Sequence, residues 1–246
     1  KMPGESPAGK KRIFFPRIDL PALIAVLLFA GLIFLYLIPG FEKAIMDRKR
    51  EMIRQITSTA YSLLEHYHSL QTEGKLDSTQ SRIEAAEAIR QLRYGESLKD
   101  YFWITDMQPV MIVHPYRPEL NGQDLSNFRD ASGKTVFVDF VKSVVNGGEG
   151  YVDYMWQWND DSTRTVPKLS HVRLFEPWGW VIGTGIYVDD VRTEIRRIEF
   201  RALIISALIA VIITALLTLI SVQGHRIESR RAMAEEELRK SRELYK

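Results

Sequence analysis

The chain contains no cysteine. This absence excludes a disulfide framework and any metal site that needs thiolate ligands. The five histidines never fall at metal-ligand spacing with a carboxylate. His66 and His68 are two residues apart, which on a helix points their rings in different directions. We therefore expect neither a metal ion nor another cofactor.

An excess of one charge is also lacking. Lys and Arg total 33 and Asp and Glu total 31, for a formal net charge of +2 over 246 residues, which gives no reason to expect a nucleic-acid partner. Catalytic motifs are missing too, because Asp106 and Asp153 are isolated and the pair Asp189 and Asp190 suits the first turn of a helix. We predict no catalytic residue, and an enzyme acting outside the membrane is the weaker alternative.

Two long apolar runs, residues 20–38 and 202–222, contain no charged side chain. Each is long enough to cross a hydrocarbon core of ~30 Å at 1.5 Å per residue. The first is too long for a signal peptide, and the Pro-Gly-Phe that follows it is not a small-residue cleavage site. The alternative is a pair of buried core helices, which normally keep a polar face. The sequence thus predicts two membrane spans.

The predicted spans divide the chain into five parts. Basic residues flank both ends of both spans in nearly equal number, so the positive-inside rule does not decide the orientation. The five parts are a cytoplasmic tail (1–17), a first span (18–39), an extracytoplasmic domain (40–200), a second span (201–222) and a cytoplasmic signalling helix (223–246).

A long helix is predicted at the start of the domain, because residues 41–71 contain neither Pro nor Gly. At about 30 residues it would be ~45 Å long, which favours the stalk of a homodimer. A single wide stripe packed on one domain is the alternative. Two apolar stripes run along this helix, one formed by Ile45, Met52, Ile56, Leu63 and Leu70 and the other by Ile53, Ala60, Leu64 and Tyr67.

A hairpin follows a second helix. Two β-prone runs, 101–105 and 110–114, flank a polar turn that contains Pro109. Period 2 places Tyr101 and Trp103 on the face opposite Phe102. The second helix is expected to begin at a capping box, Ser81 and Glu84, and to end at Arg93-Tyr94-Gly95. The remaining predicted elements are a helix at 136–145 and strands at 150–158, 168–175 and 180–187, which together describe an α+β domain with five antiparallel strands.

Six blocks of the sequence occur together in order. They are YFWITD, HP, NGQDLSNFRDASG, GEGYVDYMWQW, PKLS and WGWVIGTGIYVDDV, within residues 41–196. In combination they resemble the single Cache (sCache) sensor domain of bacterial transmembrane receptors. The resemblance implies a PAS-like five-stranded antiparallel sheet with a long N-terminal helix. It also implies a position outside the bacterial cytoplasmic (inner) membrane, between two spans, and a small carboxylate as ligand.

The last segment, residues 230–246, resembles the helix that precedes a PAS domain in sensor histidine kinases. No Pro occurs after Val222, which counts against a HAMP unit. The resemblance implies an output domain of the histidine kinase class that follows this segment, with a cytoplasmic response regulator as partner in a two-component system. The alternatives are any charged helix, a chemotaxis receptor or a diguanylate cyclase sensor of the same architecture.

A small anion requires a few convergent donors in a desolvated pocket with aromatic walls. By the family's blocks, His114 lies in HP and Lys168 in PKL. We expect Lys168 or Arg93 to pair with the ligand carboxylate, His114 to donate a hydrogen bond, and the Y-x-W aromatic pair to exclude water. The candidate site residues are Arg93, Tyr101, Trp103, His114, Tyr154, Trp156 and Lys168.

Each candidate also has a structural explanation. Arg93 could satisfy a helix dipole, Lys168 could lie at the surface, and His114 could be a structural histidine at a strand end. Trp103 suits a core, and Gly183-Thr184-Gly185 suggests close packing rather than a phosphate loop. A dimer module without a small ligand therefore stays open. A cavity lined by His114 and Lys168 favours a ligand, whereas side chains that fill this space favour that module.

Overall fold

A computed structural model describes residues 19–244. The expected cytoplasmic tail, 1–17, lies outside the described residues. The helices are α1 (Asp19–Leu32), a π-helical segment (Ile33–Leu37), α2 (Ile38–Thr72), α3 (Ser78–Gln91), α4 (Val136–Val145) and α5 (Val188–Leu244). The strands are β1 (Arg93–Tyr94), β2 (Asp100–Asp106), β3 (Met111–Val113), β4 (Glu149–Trp158), β5 (Asp161–Phe175) and β6 (Trp180–Tyr187).

The unit formed by Phe41–Arg196 is built on one antiparallel sheet. Its strands follow the order β1-β2-β6-β5-β4, and β3 pairs with β2 beside this path. The five predicted strands are present as β2 to β6, which confirms the α+β prediction with an antiparallel sheet and a long N-terminal helix. The two-residue strand β1, paired through Arg93 and Tyr101, was not predicted.

The two faces of the sheet carry different cores. Tyr101 and Trp103 pack on one face with α4. Phe102 and Ile104 pack on the other face with α2 and α3. The period of two predicted from the sequence is therefore confirmed, and it separates one aromatic face from the face covered by the long helix.

Both predicted ends of α3 are wrong. Asp77 is the N-cap, and its side chain accepts the Gln80 N–H at 2.8 Å. Ser81 lies one turn inside the helix and is buried. The helix ends at Gln91, so Arg93 starts a strand instead of closing a helix. The guanidinium still reaches back and donates to the carbonyl oxygens of Arg90 and Leu92 at 2.7 and 2.8 Å.

Strand β5 begins seven residues before the predicted start, because its pairing with β4 continues past Lys168 to Asp161. Pro167, which has no backbone N–H, is compatible with this longer strand. The pairing with β6 ends at Lys168 and Tyr187, so the missing N–H of Pro167 interrupts no bond on that side. Gly183 leaves the space that the Trp103 indole occupies, which confirms the prediction of close packing there.

Helix α2 uses the second apolar stripe against the sheet. Ile53, Ala60 and Leu64 are buried. The first stripe, represented by Met52, Ile56 and Leu63, is only half-buried. The helix thus covers the sheet with one stripe and leaves the other partly accessible.

The other unit consists of the segments before and after Phe41–Arg196. Two helices, within Ile24–Thr72 and Val188–Glu243, are long and apolar enough to cross a membrane. No residue in the apolar window of either helix is buried in the part of the chain that the structure describes. Large apolar side chains such as Leu28 and Leu208 are exposed. The alternative of two buried core helices is therefore wrong.

Candidate functional site

A small enclosed space lies on the α4 face of the sheet. Aromatic rings surround it, and it does not admit a water-sized sphere. Pockets for drug-sized ligands measure ~300–1,000 Å³, whereas this space is nearly filled by its own side chains. Any ligand here must be very small, and the rings must move to admit it. The lining residues are Trp103, His114, Phe137, Phe140, Tyr154 and Trp156.

The imidazole of His114 lies at this space with 2% of its surface exposed. Its Nδ1 accepts the backbone N–H of Arg117 at 2.9 Å. Burial, with Lys168 and Arg117 nearby, lowers the pKa of His114 well below its ordinary value, so the ring is neutral. A neutral ring that accepts at Nδ1 carries its hydrogen on Nε2. Among the described residues Nε2 has no hydrogen-bond partner, so His114 offers a buried, free donor.

Two further buried donors lie beside His114. The rings of Tyr101 and Trp156 have centroids 5.0 and 5.6 Å from the imidazole. Within residues 19–244, the Tyr101 hydroxyl and the Trp156 indole N–H are both without a hydrogen-bond partner. Buried polar groups are normally hydrogen-bonded, and leaving one unpaired costs about 1–3 kcal/mol. Three neighbouring unpaired donors therefore suit an acceptor-rich ligand.

Lys168 contributes a cation on the same face. Its side chain is 1% exposed, which overturns the alternative of a surface lysine. The ammonium nitrogen lies 4.1 Å from the ring centroid of Tyr101 and 4.8 Å from that of Tyr187. Burial lowers the pKa of Lys168 to about 7, an effect that Asp100 partly offsets. Lys168 is not among the residues that line the space, so the expected cavity lined by both His114 and Lys168 is not found in the described part of the chain. The ring of Tyr101 contacts both the lysine and His114.

The structure brings most, but not all, predicted site residues together. Tyr154 lines the space and its hydroxyl pairs with Ser170 Oγ at 3.0 Å. Trp103 lines it too and stacks on Phe140 with centroids 4.3 Å apart. Arg93 lies farther out, over the ring of Tyr116 at 5.3 Å. Its interaction with the α3 carbonyls matches the alternative given for it, while the roles of the other six residues stay predictions.

Phe137, Phe140 and Tyr187 were missed by the sequence reasoning. The first two lie three residues apart on α4 and close the space from above the sheet. Their helical spacing was visible in the sequence, but it predicts burial rather than a ligand wall. Tyr187 ends β6, and its hydroxyl accepts the Asn159 N–H at 2.8 Å and donates to the Gln157 carbonyl at 3.0 Å.

The loop between β3 and α4 is fastened to the sheet next to this space. One carboxylate oxygen of Asp130 accepts the N–H groups of Ser132 and Lys134, and the other accepts the Met155 N–H of β4 at 2.7 Å. The loop's Phe128 lies against Trp156 with centroids 5.7 Å apart. Asp130 therefore holds an aromatic side chain over the candidate site.

The chemistry of these groups is that of anion binding. His, Trp and Tyr present hydrogens, and a charged lysine presents three more. No group of three or more His, Asp or Glu side chains suited to a metal ion occurs among the described residues. Hydrogen bonds between such donors and an ionised acceptor are about twice as strong as neutral ones. A single carboxylate group could satisfy several of these donors at once.

Comparison with known proteins places these features in a family. The sequence model described as single Cache domain 2 matches residues 45–201. A solved structure described as "Structural basis for carboxylic acid recognition by a Cache chemosensory domain" is 39% identical. It covers 59% of this chain and 97% of its own, with a TM-score of 0.56.

Two longer proteins are also similar. The methyl-accepting chemotaxis protein McpP of Pseudomonas putida is 37% identical over 202 residues, which is 82% of this chain and 36% of that protein. The sensor histidine kinase MctS of Rhizobium johnstonii is 29% identical over 154 residues, 63% of this chain and 32% of that protein. The chain thus spans about a third of the length of these relatives.

Proposed function

The chain belongs to the single Cache domain 2 family, and from this membership we propose that it is a transmembrane receptor that binds a small carboxylate outside the cytoplasmic membrane. The observation that carries the proposal is the set of buried, unpaired donors at His114, Tyr101 and Trp156 beside the buried cation of Lys168. An acceptor that bears negative charge satisfies all four groups.

The small size of the enclosed space limits the ligand. The space bounded by six side chains does not admit a water-sized sphere, so only an acid of a few non-hydrogen atoms, such as a short-chain or 2-oxo acid, fits once the rings move apart. The solved relative that is described by its recognition of carboxylic acids, at 39% identity, supports the same class. The aromatic walls exclude water and strengthen the polar contacts with the carboxylate.

Signal transfer would use the last strand. β6 ends at Tyr187 and α5 begins at Val188 with no residue between them, and α5 contains the second candidate span. A ligand shifts a two-state equilibrium only by its different affinity for the two states. The strands close around the carboxylate in one of the two states, and the contacts made there give that state its higher affinity. A small displacement of α5 is the response.

The cytoplasmic output has two candidates. The charged helix after the second span lacks Pro, and the similarity to a sensor histidine kinase supports a kinase that acts on a response regulator. The similarity to a chemotaxis protein at higher identity supports a chemoreceptor. In either case we propose an inner-membrane protein with two spans that works as a homodimer joined through α2.

A ligand-free interaction module is the second candidate for the domain. One observation favours it, because the aromatic rings already fill the space so well that no water-sized sphere fits. The two candidates differ in whether the aromatic rings move when a carboxylate is added. In a receptor the rings move apart to admit it, whereas in a ligand-free module they stay packed as part of the hydrophobic core.

Thermal unfolding of the full chain in detergent tests the proposal. Acetate, propionate and pyruvate are added singly, with sodium chloride at equal ionic strength as reference. We expect at least one acid to raise the melting temperature in a saturable manner, since ligand binding to the folded state stabilises it by mass action.

Matched variants decide where the acid binds. Lys168→Met is expected to abolish the shift, because the buried cation is lost. The control Lys142→Met removes an exposed lysine paired with Asp139 and should leave the shift unchanged. No shift with any of the three acids, or an equal shift in both variants, would overturn the proposal and favour the ligand-free module.

A further inference from the structure

We propose that the site takes up its carboxylate together with one proton, which the Lys168 amine accepts; this inference rests on the proposed function. The lysine is 1% exposed and lies over the rings of Tyr101 and Tyr187. Among the described residues no Asp or Glu oxygen lies within 4.0 Å of its nitrogen. The free site therefore encloses an amine with no carboxylate in direct contact, and Asp100 acts on it only from a longer distance.

The energetics of such a site favour a neutral amine. Removing an ammonium group from water disfavours its charged form. Cation–π attraction to the phenol rings offsets part of this desolvation cost, typically by about 0.5–2 kcal/mol. Burial outweighs these contacts and lowers the pKa of Lys168 to about 7. Near neutral pH, a large fraction of the free sites then lacks the proton.

Other groups face Lys168 from each neighbouring strand. Tyr101 on β2, Tyr154 on β4 and Tyr187 on β6 all have a pKa raised by burial, so they stay protonated at neutral pH. Burial lowers the pKa of His114, so it stays neutral. Burial raises the pKa of Asp100, and Lys168 opposes this rise. Lys168 is the group in this cluster whose charge changes as the pH passes 7.

A bound carboxylate favours the protonated form of the Lys168 amine over the neutral form. Its negative charge beside a neutral amine would leave a net charge of −1 in a dry site, which is costly. When the amine takes a proton from the buffer acid, one N–H bond forms and the buffer loses one hydrogen. The carboxylate stays ionised and the enclosed pair is neutral overall. Binding and protonation are therefore favourable together and unfavourable apart.

The consequence is a pH-dependent affinity. Below pH 7 the free lysine is already protonated and the dissociation constant is flat. Above pH 7 each binding event must collect a proton, so the dissociation constant rises by up to about tenfold per pH unit. The receptor would thus respond to the same acid more strongly in mildly acidic surroundings than in alkaline ones.

Titration calorimetry of the full chain in detergent tests this inference. Acetate, propionate and pyruvate are each titrated at pH 8 in phosphate and in Tris, which differ in ionisation enthalpy. We expect the observed enthalpies to differ by an amount equal to uptake of about 0.9 proton per acid bound. Equal enthalpies in the two buffers would overturn proton uptake while leaving the proposed function intact. No binding of any acid at pH 6, 7 or 8 would overturn the proposed function itself.

Variants assign the proton to its acceptor. Lys168→Arg keeps its charge at every pH used, so its dissociation constant is expected to lose the tenfold slope above pH 7. Lys142→Arg, at an exposed position, and Asp100→Asn should keep the slope. A wild-type slope in Lys168→Arg would assign the proton to another group and overturn the inference. Should that variant not fold, the two-buffer comparison on the unaltered chain still decides whether a proton is taken up.

Discussion

The Nδ1 atom of His114 accepts the backbone N–H of Arg117 at 2.9 Å, which leaves Nε2 as a donor without a hydrogen-bond partner among the described residues. The two ring nitrogens therefore have separate tasks. Nδ1 holds the start of the loop after β3, and Nε2 is available to a ligand. This division can be tested because Asn and Gln each reproduce one half of the ring.

We expect His114→Asn to keep the acceptor near Nδ1 and to lose the donor. Its affinity for the carboxylate should fall by about 5- to 150-fold, since an unpaired buried partner costs about 1–3 kcal/mol. His114→Gln should retain the donor and lose less affinity, but its melting temperature should fall because the bond to Arg117 is gone. Calorimetry and thermal unfolding measure the two effects. Equal affinity in both variants would contradict the assignment of Nε2 to the ligand.

The sequence predicted local features of this fold well. The hairpin from Tyr101, the helix α4 and the strand β6 were found because each has a clear period and a turn signal at its ends. At α3 the sequence indicated Ser81 with Glu84 as the start of the helix. The structure uses Asp77 instead, whose side chain accepts the Gln80 N–H, and Ser81 lies buried inside the helix.

The composition of the site was harder to predict. His114 and Lys168 were found through the HP and PKL blocks of the family resemblance. Phe137 and Phe140 do not stand out, because they look like any apolar face of a helix. Their role depends on where α4 lies across the sheet, which is a non-local property. Asp130 was missed for the same reason, since its partner Met155 is 25 residues away in the chain.

Gly183 determines how deeply Trp103 can pack. A Cβ atom at this position would lie inside the van der Waals distance of the indole ring, which is itself stacked on Phe140. We expect Gly183→Ala to destabilise the domain by about 1–3 kcal/mol, the usual cost of overpacking. Gly147→Ala is the control, because its Cβ would make only an ordinary contact. Urea unfolding followed by tryptophan fluorescence measures both, and equal stability would contradict the packing argument.

Asp130 should control the mobility of the loop over the site. Burial opposes its ionisation, but hydrogen bonds from Met155, Ser132 and Lys134 lower the pKa of its carboxyl. In Asp130→Asn one oxygen becomes a donor, and we expect amide exchange at Met155 and across residues 116–135 to rise at least about tenfold.

The control for this loop is Asp124→Asn. Among the described residues the side chain of Asp124 accepts only from the nearby Ser126, so exchange at Met155 should not change in this variant. Because the native carboxyl of Asp130 has a lowered pKa, its stabilising effect is present above the unfolded value of about 3.9 and is lost as the pH falls further. Unchanged exchange in Asp130→Asn would show that the loop is held by its apolar contacts alone.

His171 should make the domain sensitive to acid. Its side chain is fully buried on the α2 face, with Nε2 3.6 Å from Glu149 Oε2, and it faces Tyr151, Glu51, Arg54 and Arg173. Burial lowers the pKa of His171 to about 4. The unfolded chain therefore binds this proton first. The stability contributed by the neutral ring is complete above about pH 6.5 and is lost as the pH falls towards 4.

The expected loss between pH 7 and pH 4.5 is about 2 kcal/mol from this side chain. Replacing His171 with Leu should make the melting temperature fall less over this interval. The remaining decrease is attributed to His114, whose pKa is also lowered by burial. His66→Gln, at an exposed position, should follow the wild-type curve. Parallel curves for His171→Leu and wild type would contradict the prediction.

The half-buried stripe of α2 should pair with the same stripe of a second subunit. Thr59 is exposed and lies one turn from both Ile56 and Leu63, so it belongs to the partly accessible face of the helix.

The chain has no cysteine, so one introduced thiol reports a single position. A disulfide forms only where the two Cα atoms approach within about 7 Å. We expect Thr59→Cys to give a covalent dimer on mild oxidation in detergent. Ser162→Cys, at an exposed position near the start of β5, should stay monomeric. Equal yields from both positions would indicate random collision. A monomer from Thr59→Cys would instead favour the reading in which both stripes of α2 serve one domain.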